Sequence, residues 1–311
     1  MGSTSYSSAD WSAYSTRTAA KATNEIYTNR SGMVDELNPA KITVREARDS
    51  AVNPVTTPVI AFCDFTGSMG SLARQIATKG MGQIFQELLD RGVVPGPQFA
   101  MGGYGDVEAD AEAWLQVSQF ESDTASLVPQ IEKLYRIGQG GGGNAHESEN
   151  LAWYFAMTRI VHDAYSKRGE KGFLFTIGDE EVPSNLSVNQ VQRVFGDTPQ
   201  SVPDNAGLLA ALSQQWEVFH IMVEQGSHMR SYRNRVIDQW TDLMGQRAIL
   251  LSDIDKLSEV IVSTIQVVRG TDVDTVTKSW SGDTSLVVAK AVSGLGSLAV
   301  RPGDSGAVTR F

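Results

Sequence analysis

Asp64, Thr66 and Ser68 put three hard oxygen donors on one turn, the hydroxyls two and four residues after the carboxylate. Such oxygens suit Mg²⁺ better than any soft metal. Gly67 and Gly70 let the backbone fold closely enough to aim the three together. The apolar run Val59–Cys63 leads into the turn, and a helix-like stretch follows it. Strand, oxygen-rich turn and helix together form a ligand site at the carboxyl edge of a parallel sheet. Two later loops carry related chemistry: the glycine-rich Gly138–Asn144, and Asp179, which follows the apolar run Phe173–Ile177. In a doubly wound sheet such loops converge on one crevice. There Thr66 and Ser68 would ligate a cation, Asn144 could add a carbonyl oxygen, and Asp64 and Asp179 would act directly or through water. Mg²⁺ usually keeps several waters, so one position stays open for an outside oxygen.

The elements that must position these loops follow an open α/β pattern. Strands are expected at Val59–Cys63, Phe99–Tyr104, Trp114–Phe120, Phe173–Ile177, Val218–Val223 and Ala248–Leu251. Helical spacing of apolar residues predicts helices at Ser71–Arg91, Thr124–Ile137, His146–Lys167, Asn205–Gln215, Tyr232–Met244 and Asp253–Val268. Pro129 requires a kink or an early start in its helix, and Asp253 is placed as an N-cap. The core domain is expected over residues 54–270. An N-terminal extension, partly disordered, covers residues 1–53, and a C-terminal extension covers residues 271–311, with a short helix or strand around Leu286–Val292.

A chain of 311 residues, 41% hydrophobic, can bury a full core. Its net charge of −10 opposes a nucleic-acid role, because phosphate binding needs a basic surface. One cysteine excludes an internal disulfide framework or a cysteine-cluster metal site, and Cys63 reads as a small buried apolar residue. No run approaches a membrane span, and no secretory-type apolar stretch stands near residue 1. The expectation is a soluble, cytoplasmic protein with no membrane partner. His146, His162, His220 and His228 lack paired metal-ligand spacing and read as structural or surface residues.

The turn Asp64-Phe65-Thr66-Gly67-Ser68 resembles the Asp-x-Ser/Thr-x-Ser signature of von Willebrand factor A (vWA) domains, in the version of prokaryotic and phage members. Gly141-Gly142-Gly143-Asn144-Ala145-His146-Glu147-Ser148 is similar to the family's second loop, and Thr176-Ile177-Gly178-Asp179 to its third. The resemblance covers roughly residues 25 to 270. It implies a doubly wound, mostly parallel six-stranded sheet flanked by helices, and a metal-ion-dependent adhesion site (MIDAS). Thr66 and Ser68 would be direct ligands, with Asp64 and Asp179 bound mainly through water. Asn144 stands where the family has Thr or Asp. The cation would be Mg²⁺, with Mn²⁺ or Ca²⁺ as alternatives, and an acidic side chain of a protein partner would fill the open position. The partner would be a separate MoxR-type AAA+ ATPase or the subunits of an assembly.

Three other readings compete. The first turn alone could be a plain helix cap; agreement among three loops argues against that. A structural subunit whose metal only rigidifies one sheet edge is an alternative. A Mg²⁺-dependent phosphohydrolase is disfavoured, because no His or Lys is placed as a general base. Asp106, at a strand end, could orient waters near the metal. Glu147 could serve behind the ligands or contact a helix start, and Glu180 and Glu181 flank the site.

Overall fold

The computed structural model describes residues 12, 13, 16, 32–69, 71–76, 80–110, 114–134 and 143–298. The first part of the extension expected over residues 1–53, residues 1–31 apart from three positions, therefore lies outside the described residues, as do Gly138–Gly142.

Among the described residues eight strands form two sheets: β1 (Arg45–Ala47), β2 (Thr57–Asp64), β3 (Pro97–Tyr104), β4 (Leu115–Val117), β5 (Ile160–His162), β6 (Gly172–Gly178), β7 (Trp216–Val223) and β8 (Ala248–Leu251). The main sheet has six strands in the order β4-β3-β2-β6-β7-β8. All its pairings are parallel except β3 with β4. This is a doubly wound α/β sheet, as expected. The strand order reverses between β2 and β6, so that junction is the topological switch point. The small second sheet pairs β1 with β5.

Both faces of the sheet are covered, so its strands are buried along their length. Alternate residues point to opposite faces. Val59, Ala61 and Cys63 of β2, with Phe173, Phe175 and Ile177 of β6, build one core, while Ile60, Phe62 and Leu174 build the other. The helices are α1 (Ser71–Gln75), α2 (Met81–Asp90), α3 (Thr124–Glu132), α4 (Glu149–Arg159), α5 (Asp163–Arg168), α6 (Val188–Phe195), α7 (Asn205–Leu212), α8 (Ser227–Met244), α9 (Leu257–Val268), α10 (Val273–Lys278) and α11 (Gly282–Val292). The first core takes α2, α3, α9, α10 and α11; the second takes α4, α6, α7 and α8.

Several expectations change. The long helix over His146–Lys167 is two helices, because Ile160-Val161-His162 leaves the helix to pair in parallel with β1. Two β-branched residues favour that extended segment, and His162 then caps α5 by accepting from the Tyr165 amide. A helix unanticipated over 182–204 appears as α6, opened by a Ser187/Gln190 capping box. α3 runs through Pro129. Asp253 does act as a cap, but first for the 3₁₀ turn Ile254–Lys256. Within the extension expected over residues 271–311, the element expected around Leu286–Val292 is helical, and Val276, Val288, Val292 and Leu295 join the first core. Ile42 and Ala47 likewise belong to the second.

Candidate metal centre

β2 delivers Asp64 fully buried at its carboxyl end, and the chain turns at once. Asp64 Oδ1 accepts from the Thr66 amide at 2.7 Å, a local turn that aims both hydroxyls the same way. Ser68 Oγ lies 3.3 Å from Asp64 Oδ2 and 3.3 Å from Thr66 Oγ1. Adjacent ligands of an octahedral Mg²⁺ stand about 3 Å apart, given bonds of about 2.1 Å. The first loop thus holds its oxygens near the spacing a small divalent cation would impose.

Across the switch point β6 delivers Asp179, also fully buried. Asp179 Oδ2 accepts from the His228 amide in the first turn of α8 at 2.9 Å, a carboxylate meeting the positive end of a helix. A Cβ on Gly226 would lie 2.2 Å from Asp179, so only glycine lets α8 start this close. Asp179 Oδ1 is left buried with no hydrogen-bond partner. Ser227 Oγ donates to the Ser68 carbonyl at 3.2 Å and ties α8 to the first loop.

The second loop is stitched to both neighbours. The Glu181 amide donates to the Ala145 carbonyl at 3.1 Å, and the Ser148 amide to the Gly105 carbonyl at 3.1 Å. Ala145 holds φ at 68°, a left-handed conformation uncommon outside glycine. Asn144 Nδ2 donates to Asp106 Oδ2 at 2.6 Å. That leaves the Asn144 carbonyl as its available ligand atom. Asp64, Thr66 and Ser68 are in mutual contact and Asp179 lies close enough to Asp64 to raise its carboxyl, whereas Asn144 is bonded to Asp106 and lines a neighbouring cleft without touching the first turn in any recorded hydrogen bond. The cleft, of about 490 Å³, is lined by Asn144, Glu147, Glu180 and Glu181 on one side and His228, Tyr232 and Arg235 on the other.

Burial, and then repulsion from Asp179, pushes the Asp64 carboxyl well above its ordinary range. Burial also raises Asp179, against hydrogen bonds from Ser68 and the α8 amides. Glu147 is pushed up to about 12 by burial and by Asp64, Glu180 and Glu149. Glu180 rises to about 7 through burial and Asp179. Glu149, at the start of α4, is fully buried beside the Tyr104 hydroxyl with no Lys or Arg partner among the described residues, and burial raises it strongly. Among the described residues no Lys or Arg pairs with any of these five. Arg235 pairs instead with Glu181, at 2.8 Å, where Gln239 and His228 also converge.

Buried carboxylates without a compensating charge are costly, so this donor set fits a cation. Among the described residues no cluster of three or more His, Cys, Asp or Glu side chains forms a ligand set by itself; the hydroxyls of Thr66 and Ser68 complete it.

Sequence reasoning missed Glu149, Tyr104 and the α8 start. Tyr104 Oη donates to the Ile177 carbonyl at 2.8 Å. A Cβ at Gly178 would meet Tyr104 Oη at 2.7 Å and Glu149 Oε1 at 3.3 Å. That crowding explains why glycine stands at this strand end. The signal available for Glu149 was a carboxylate opening a helix buried on every side, Glu149 through Ala156.

No family model matches the sequence, and no curated protein matches it. Solved structures with related folds include the pilus adhesin SpaC from Lactobacillus rhamnosus GG, with 11% identity, a TM-score of 0.43, and coverage of 75% of this chain and 32% of that one. A von Willebrand factor type A protein from Catenulispora acidiphila has 12% identity and a TM-score of 0.36, over 70% of this chain and 44% of that one. Proximal thread matrix protein 1 from the mussel byssus, with a zinc-occupied MIDAS motif, has 10% identity and a TM-score of 0.40, over 71% and 48%. The chain thus spans about a third of the adhesin and under half of the mussel protein. Likenesses at this level assign no activity; the α/β fold class stands on the strand order and the candidate centre on its side chains.

Proposed function

We propose that this chain is a divalent-cation-dependent protein-binding module and not an enzyme. Asp64, Thr66, Ser68, Asn144 and Asp179 would hold Mg²⁺, with Mn²⁺ or Ca²⁺ as alternatives, and an Asp or Glu of a partner would complete the coordination. The bound cation would supply a Lewis-acid position for that carboxylate oxygen. The protein's own residues do the rest. The Thr66 amide orients Asp64, the α8 amides orient Asp179, and Asp106 restrains Asn144. The cleft leaves room for an incoming side chain.

One observation carries this reading: Asp179 Oδ1 is buried with no hydrogen-bond partner, in a carboxylate close enough to Asp64 to raise it. The vWA-type neighbours, one with a zinc-filled MIDAS, are consistent with it. By linkage, an acidic partner and the cation should each tighten the other's binding. The test is calorimetric titration of Mg²⁺ and Mn²⁺ into metal-stripped protein, followed by partner recovery from source lysate with and without chelator. Saturable one-site binding and chelator-sensitive recovery are expected. Equal recovery in both lysates would sink the partner role.

A further inference from the structure

Glu147 stands three residues after Asn144, in the same loop, and is only 4% exposed. Its Oε2 has no hydrogen-bond partner, yet the residue lines the cleft beside Asn144 and Glu180. The Thr66 hydroxyl reaches its carboxyl, which lies within the fields of Asp64 and Glu180. A carboxylate that deep needs a cation or a proton. No Lys or Arg among the described residues provides the former.

We propose that Glu147 is itself a ligand of the cation, supplying from the second loop the anionic oxygen that Asn144 lacks. This rests on the cation-site reading above. Asn144 is already engaged with Asp106 through its amide nitrogen. Glu147, one methylene longer than an aspartate and aimed at Thr66, has the reach. The negative charge it would add lies beside Asp64, whose field its carboxyl shares. The centre therefore retains its cation before any partner arrives, instead of waiting for a partner's carboxylate to complete the charge.

The experiment titrates Mn²⁺ into metal-stripped wild type, Glu147→Gln, Glu147→Asp and Asp64→Ala, with water-proton relaxation read alongside calorimetry. Melting in chelator checks that each variant folds. Wild type should bind one Mn²⁺, and Glu147→Gln should bind about tenfold more weakly or worse, the scale at which even outer-shell losses act. Its bound Mn²⁺ should relax water protons more strongly, because water takes the freed position. Glu147→Asp keeps the charge but loses the reach, so it should also bind weakly. If it matches wild type while Glu147→Gln fails, the residue acts by charge alone and ligation is overturned. Wild-type affinity and relaxation in Glu147→Gln would overturn the inference and leave the cation site standing. No Mn²⁺ binding by wild type, or equal binding by Asp64→Ala, would overturn the cation-site reading and this inference with it.

Discussion

The two ends of the sheet bury carboxylates in opposite ways. At the amino edge, beside the start of β2, Asp49 and Asp163 have side chains only 10% and 5% exposed. Each is paired within the chain. Arg48 and Lys167 hold Asp163 at 2.8 and 2.7 Å, and Arg168 holds Asp49 at 2.8 Å. Burial raises both carboxyls, but those partners override it and hold each below its ordinary range. At the carboxyl edge Asp64, Asp179, Glu147, Glu149 and Glu180 have no such partners among the described residues, and all five are raised. The described residues pair the acids at one edge within the chain and pair none of these five with a Lys or Arg at the other. Among the described residues no arginine or lysine answers these acids, and it is this contrast that the proposed cation would resolve.

The comparison can be broken most directly by Asp64→Ala. This change should abolish saturable Mg²⁺ and Mn²⁺ binding in calorimetry while preserving the circular dichroism of the fold. Retained binding would mean that the open acids are not a cation site. At the other edge Arg168→Ala strands Asp49 with fewer partners and removes a charged hydrogen bond, a loss of about 2 kcal/mol. Urea denaturation would measure it; an unchanged midpoint would show that the amino-edge pairing is ornamental.

Glu149→Gln is the matched change in the crevice and should differ in kind. In chelator its stability should stay within about 1 kcal/mol of wild type or rise, because a buried acid with no Lys or Arg partner among the described residues is replaced by a neutral isostere. A large loss would reveal a hidden partner for Glu149.

The smallest effect is protonic. In the cation-free protein Glu180 titrates at about 7, above its ordinary 4.5. The folded state therefore binds the proton more tightly than the unfolded chain does. That contribution to stability is full below about 4.5 and is lost as pH rises through about 7. Cation and proton compete for the same charge, so cation affinity should fall as pH drops below about 7 and binding should release protons. Calorimetry at pH 6.5 in two buffers of different ionisation enthalpy reads this; identical heats would refute it.

Much of this was legible before any coordinates, because local chemistry writes local sequence. The Asp64 turn, the strand before it and the Asp179 strand end all lie within short segments whose own residues set their geometry. Strand β8 was legible at its full length, Ala248–Leu251. The break at Ile160–His162 was not, because its cause is a partner strand more than a hundred residues earlier. The helix α6 carried a readable capping box, and only its short apolar face hid it.

The sequence by itself determined the oxygen types, their spacing on the first turn, and the alternation that makes a doubly wound sheet, since periodicity and turn chemistry act between neighbours. Only the tertiary structure decided which acids would be stripped of water and left unpaired. Along the chain Glu147 reads as a residue behind the ligands or at a helix start, and Glu149 carries no signal of its own. Both lose their water because α4 is buried on every side and its start is pressed against Tyr104, Gly178 and the Thr66 turn. Desolvation depends on what packs around a group, and that is a property of the whole fold.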